Sequence, residues 1–199
     1  MVRTKQRQTY GEEVANVLTH GAGMIFGAVA LILLLMASIR SGNPWAVGSS
    51  VVYALSMTSS YVTSTFYHAS ANARRKRLLR RFDHSAIYLH IAGTYTPFTL
   101  VALRQVGYWG WSLFAIVWVA AVIGIFLSFR KMKKTDHLKT VCYLAMGWVV
   151  IIAFKPLLDV CRQTGSMDVL YWLIGGGLFY TVGCVFYFFD KYKYMHQMW

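Results

Sequence analysis

Charge is what this sequence has least of. Only 14% of its 199 residues are charged, against about 25% in a soluble domain, and Asp and Glu together number 7. That shortage excludes an ordinary soluble domain. Cysteine is scarce too: Cys142, Cys161 and Cys184 are an odd number, show no CxxC spacing, and lie in or at the edge of apolar segments. Neither a disulfide framework nor a thiolate metal site is indicated; the three read as small buried apolar residues. No apolar segment carries a continuous polar face, which counts against a pore. Polar residues do not recur at mid-membrane, as they would in a transporter.

What is present is apolar length: 57% of the residues are hydrophobic. The few charges cluster in short runs separated by apolar segments of about 20 residues, the length that crosses a bilayer as a helix. The expected fold is an all-α, polytopic transmembrane helix bundle forming one domain over 1–199. Six spans are read at about 14–39, 45–69, 82–103, 108–129, 140–158 and 169–189. The basic start and Ala37-Ser38 resemble a cleaved leader. The length of the first span, its Asn16 and His20, and the spans that follow make it an uncleaved anchor. Pro97 is expected to kink the third span, with Thr94 and Thr96 bonding back to freed carbonyls. Gly23 and Gly27 have the GxxxG form, read as packing against a neighbour in the same bundle.

The net charge of +13 is not a nucleic-acid surface. The Lys and Arg flank apolar spans, where they orient helices and meet anionic lipid headgroups. Alternate connections, starting from the N-terminal tail, hold 16 of the 20 basic residues, six of them in the run from Arg74 to Arg81. The other connections hold Arg40, Arg104, Lys155 and Arg162. The positive-inside rule then puts the N-terminus in the cytoplasm of a multi-pass protein of the plasma (bacterial inner) membrane. Membrane lipids are the expected partners, with anionic headgroups at the basic cytoplasmic connections.

This orientation gathers polar residues at one leaflet. Glu12, Asn16 and His20 follow an i, i+4, i+8 series on the first span. Ser64 and His68 end the second, Asp83 and His84 open the third, and His196 follows the sixth. His90 lies seven residues past Asp83, on the same stripe but deeper. Ionisable groups inside spans are costly and face the bundle interior or a wet cavity. Two readings stay open for them. Each histidine suits an interfacial hydrogen-bonded residue, and Asp83, Glu12 or Glu13 suits a first-turn helix charge. Histidine, carboxylate and serine from separate helices also suit a zinc ion with an activated water.

Four motifs, GEEVANVLTHGAG, STFYHAS, RRFDHSAIYLHIAGTYTPF and YMHQMW, occur in one order across essentially the whole chain. Together they resemble the bacterial hemolysin III branch of the progestin and adipoQ receptor (PAQR) family. The resemblance implies seven helices, a cytoplasmic N-terminus and a zinc site near the cytoplasmic leaflet, similar in design to alkaline ceramidases. It implies zinc ligands at His68 and His196, Asp83 holding the metal's water as general base, and Ser64 in support. The family's second histidine of H-x3-H would fall one residue after Trp199, and no seventh helix follows. The expectation is a truncated chain with incomplete zinc coordination. His90 departs from the family pattern, which more often has an apolar residue there. The implied activity is hydrolysis of a lipid amide or ester in membrane lipid homeostasis. The rivals are a non-catalytic sensor or structural protein and a pore-forming cytolysin.

Overall fold

A computed structural model describes residues 9–130 and 136–188. The described residues form helices joined by short connections, with no strand among them. They are α1 (Tyr10–Arg40), α2 (Pro44–Ala69), α3 (Ala73–Pro97), α4 (Trp109–Phe129), α5 (Asp136–Trp148), α6 (Phe154–Thr164) and α7 (Met167–Phe188). A π-helical turn, Phe98–Ala102, follows α3, and a 3-10 turn, Val149–Ala153, joins α5 to α6.

Four stretches are long and apolar enough to cross a membrane: Tyr10–Arg40, Trp109–Phe129, Lys139–Thr164 and Met167–Phe186. The two other long helices, α2 and α3, are more polar, and the packing explains why. α3 lies between α2 and α4, and α1 lies along α2. α2 turns Ser49, Ser56, Ser64 and His68 inward, while α1 exposes Leu18, Ile25, Phe26 and Ile32. Polar groups face the bundle and apolar ones face lipid, as a hydrocarbon solvent demands. The chain is an all-α membrane helix bundle.

The basic run read from the sequence as a connection is helical. Asn72 caps α3, its Oδ1 accepting from the N–H groups of Arg74 and Arg75, and α3 then runs unbroken from Ala73 to Pro97. Arg, Lys and Leu are strong helix formers, so repulsion among the cations does not prevent it. At the other end, Thr94 and Thr96 do bond back, to the carbonyls of His90 and Ala92. Past Pro97 the chain continues as the π turn, with Thr99 bonded to the carbonyls of Tyr95 and Thr96. Gly23 and Gly27 lie against Tyr61 and Thr58 of α2, so this GxxxG face is packed within the chain.

The core lies where α3, α4 and the α5–α6 unit meet, around Tyr88, Ala92, Leu113, Val117, Tyr143 and Leu157. The fifth span is broken into α5, 3-10 turn and α6, and Tyr95 repairs the break. Its hydroxyl donates to the Gly147 carbonyl (2.7 Å) and accepts from Val150 N–H (2.9 Å). Backbone groups freed in a helix break must find partners, since lipid offers none. Tyr95→Phe strands a buried N–H, and thermal unfolding in detergent should show a loss of about 1–3 kcal/mol.

Candidate functional site

The site begins at the N-terminus of α1. Thr9 and Glu12 form a capping box: Thr9 N–H donates to Glu12 Oε2 at 2.7 Å, and Thr9 Oγ1 accepts from Glu12 N–H at 3.4 Å. With Glu12 at the cap, the next acid turns toward α2. Glu13 Oε2 stands 2.8 Å from His68 Nδ1, and Glu13 Oε1 accepts from Lys76 Nζ at 2.5 Å. One carboxylate therefore joins α1, α2 and the basic start of α3. The His68 side chain is only 2% exposed, so this imidazole is held from every side.

Asn16 and His20 complete the α1 face. Asn16 Nδ2 lies 3.3 Å from His68 Nδ1, and Asn16 Oδ1 is buried without a hydrogen-bond partner. When Nδ1–H donates to Glu13, the amide orientation that places Asn16 oxygen toward Nδ1 is the one without a donor–donor clash. The His20 ring stacks on the His68 ring, centroids 5.9 Å apart and planes 4° from parallel. On the far side Tyr67 packs against His68 at 4.6 Å, and Lys76 lies over the Tyr67 ring.

One turn back along α2, buried Ser64 and the charge of Arg80 both lie close to the Asp83 carboxyl group of α3. Thus α2 carries both halves of the site: His68 facing α1, and Ser64 facing α3. The structure brings Glu13, Asn16, His20, His68 and Lys76 together, with the Ser64–Asp83 pair beside them. His84 and His90 are placed elsewhere. The His84 ring accepts from Arg80 Nε, and its carbonyl accepts from the Tyr143 hydroxyl of α5. His90 lies deeper, its ring tilted against Tyr53 at 6.3 Å. His196 lies outside the described residues.

Glu13 and Lys76 were not among the sequence-level candidates. Glu13, Asn16 and His20 fall at i, i+3 and i+7, as good a helical stripe as one starting at Glu12. The capping-box signal at Thr9 and Glu12 could have decided between the two acids.

A buried, carboxylate-held imidazole and a Ser–Asp pair thus stand side by side where the ends of α1 and α2 meet the basic start of α3. Residues 8–199 match the sequence profile of the family described as Haemolysin-III related. The chain is 40% identical over 196 residues to Hemolysin-3 of Bacillus cereus, covering 98% of this chain and 87% of that protein. It is 39% identical over 191 residues to the Hemolysin-3 homolog of Bacillus subtilis (strain 168), covering 96% and 87%. With that match over nearly its whole length and four apolar membrane-length helices, the chain is a multi-pass membrane protein and belongs to the haemolysin-III related family.

Proposed function

We propose that this protein is a zinc-dependent hydrolase of a lipid amide or ester, acting at the cytoplasmic leaflet in membrane lipid homeostasis. The observation that supports the reading is the nearness of Ser64 of α2 to the Asp83 carboxyl group of α3, one turn from buried His68.

The donor chemistry fits zinc in part. His68 and His196 are the proposed ligands. Glu13 holds His68 Nδ1, the carboxylate–histidine arrangement that fixes the tautomer and makes Nε2 the more basic ligand atom. Among the described residues no group of three His, Cys, Asp or Glu could hold a metal ion, and His196 lies outside them. A zinc ion there supplies Lewis-acid polarisation of a carbonyl and a water that ionises near neutral pH. Asp83 is the general base, taking a proton at its carboxylate, and the Ser64 hydroxyl keeps that carboxylate aimed. The cations at the start of α3 hold an anionic headgroup beside the site.

Lipid extracts and metal content test the reading together. Cells making the wild-type protein should lose one lipid amide or ester class and gain the matching free fatty acid. His68→Ala should abolish that change and remove zinc from the purified protein. Identical lipid profiles and identical zinc content in the two would overturn the proposal.

One observation favours a second, non-catalytic reading. Glu13 braces α1 against both α2 and α3 through His68 and Lys76, which is also how a structural or sensing element would use these residues. On that reading His68→Ala lowers thermal stability and leaves lipids unchanged. The cytolytic activity implied by the name of the Bacillus cereus relative would instead appear as dye leakage from liposomes carrying the protein.

A further inference from the structure

At the opposite end of α2 from His68, a groove of about 520 Å³ lies between α2 and α4, floored by α3 and the π turn. That volume is within the ~300–1,000 Å³ typical of small-ligand sites. Val52 and Trp45 of α2, Leu100 of the π turn, and Phe114 and Trp118 of α4 give it apolar walls. The aromatic side continues outward, Trp118 packing on Phe114, Phe114 on Trp111, and Trp111 on Trp45.

Ser49 and Thr96 break this apolar lining, and Arg104 stands beside it on Trp45. Thr96 is bonded to the Ala92 carbonyl and Trp118, whereas Ser49 and Arg104 each keep a buried polar atom without a partner among the described residues. Arg104 lies over the ring of Trp45, a wall residue of the groove, 4.7 Å from its centroid. It pairs with no carboxylate among the described residues, and its Nε is buried without a hydrogen-bond partner. Ser49 lines the groove, is 1% exposed, and its hydroxyl has no partner either. A buried polar atom left unsatisfied costs about 1–3 kcal/mol. Arg104 is also one of only four basic residues on this side of the bundle, where the positive-inside bias removes most cations.

The geometry points to a binding site for one glycerophospholipid of the outer leaflet, its phosphate on Arg104, an ester carbonyl on Ser49 and one acyl chain in the groove. The spacing suits that molecule. Ser49 is four residues from Trp45, about 6 Å deeper at 1.5 Å per residue, so an anion-binding group is followed at one turn's depth by a hydroxyl donor and then by apolar wall. A guanidinium stacked on an aromatic ring keeps its donor edge open for phosphate oxygens. A chain from the surrounding bilayer would fill the remainder, between Val52, Leu100 and Trp118.

The site is separate from the His68 region, so each can fail alone. The test uses the full-length protein in nanodiscs containing phosphatidylglycerol with a diazirine near the middle of its acyl chain. After irradiation, label should concentrate on Val52, Leu100 and Trp118 by about tenfold over the exposed Trp172 and Phe179 of α7, which report ordinary annular lipid. Arg104→Gln, a change beside the groove, should remove the enrichment, and Ser49→Phe should block the groove itself. Label spread evenly over groove and α7 would overturn the proposal. So would enrichment that persists unchanged in Arg104→Gln.

Discussion

Replacing Asp83 by asparagine is expected to lower the proposed lipid hydrolysis by about 100- to 10,000-fold, the usual share of a positioned general base, while the melting temperature stays near that of the unaltered protein. Asparagine has almost the same shape, and its Oδ1 can still accept from Ser64 across the α2–α3 contact. What it loses is the capacity to take a proton. The neighbouring Arg80 charge also loses its counter-charge, a smaller effect near the polar end of the bundle. Ser64→Ala is the companion: it keeps the carboxylate but releases its aim, so the rate should fall less than in Asp83→Asn. Turnover and thermal unfolding measured on one purified sample separate chemistry from folding. An Asp83→Asn protein that turns over at the normal rate would remove Asp83 from the mechanism.

The largest structural effect is expected at Gly93, which packs directly against Ser56 of α2. A Cβ built there would run into Ser56 Oγ and lie 2.6 Å from Ser56 Cβ. Ser56 is itself buried, its hydroxyl tied to the Tyr53 carbonyl, so the obstacle is a short, tethered side chain whose Cβ cannot swing away, not a flexible tip. Gly93→Leu therefore forces the two helices apart. Overpacking typically costs about 1–3 kcal/mol, and here the displacement is levered onto the Ser64–Asp83 pair and the groove floor as well. Size-exclusion profiles should show loss of the monodisperse species, and the melting temperature should fall. Gly175→Ala is the control: nothing lies within 4 Å of a Cβ there, and alanine favours helix by about 1 kcal/mol. That variant should be neutral or more stable.

Much of this could be read before any coordinates. Apolar length and segregated charge give a helical membrane protein, because a bilayer admits few other solutions. Ser64, His68 and Asp83 stand out because polar atoms in such segments are expensive. Three features escaped, each for a physical reason. The choice between Glu12 and Glu13 depends on one residue of helical phase, and phase at an N-terminus is set by the cap. The basic run looked like a connection because charge is a stronger signal than propensity, yet Leu78 and Leu79 among Arg and Lys, after Asn72, have the composition of a capped helix. The break between α5 and α6 leaves no mark in composition, since Val149–Ala153 is apolar throughout; it is stabilised by Tyr95, some fifty residues away in sequence.

The unbroken course of α3 has one more consequence. Its 25 residues make a rod of about 38 Å at 1.5 Å per residue, longer than the ~30 Å hydrocarbon layer. Its cationic first turns therefore stand among the headgroups of one leaflet, while Thr96 near its other end belongs to the groove in the opposite leaflet. A hinged loop would let those ends respond separately to the membrane. A single rod works as a dipstick: how deep its cations settle in one headgroup layer also fixes the height at which the groove at the other end meets the lipid.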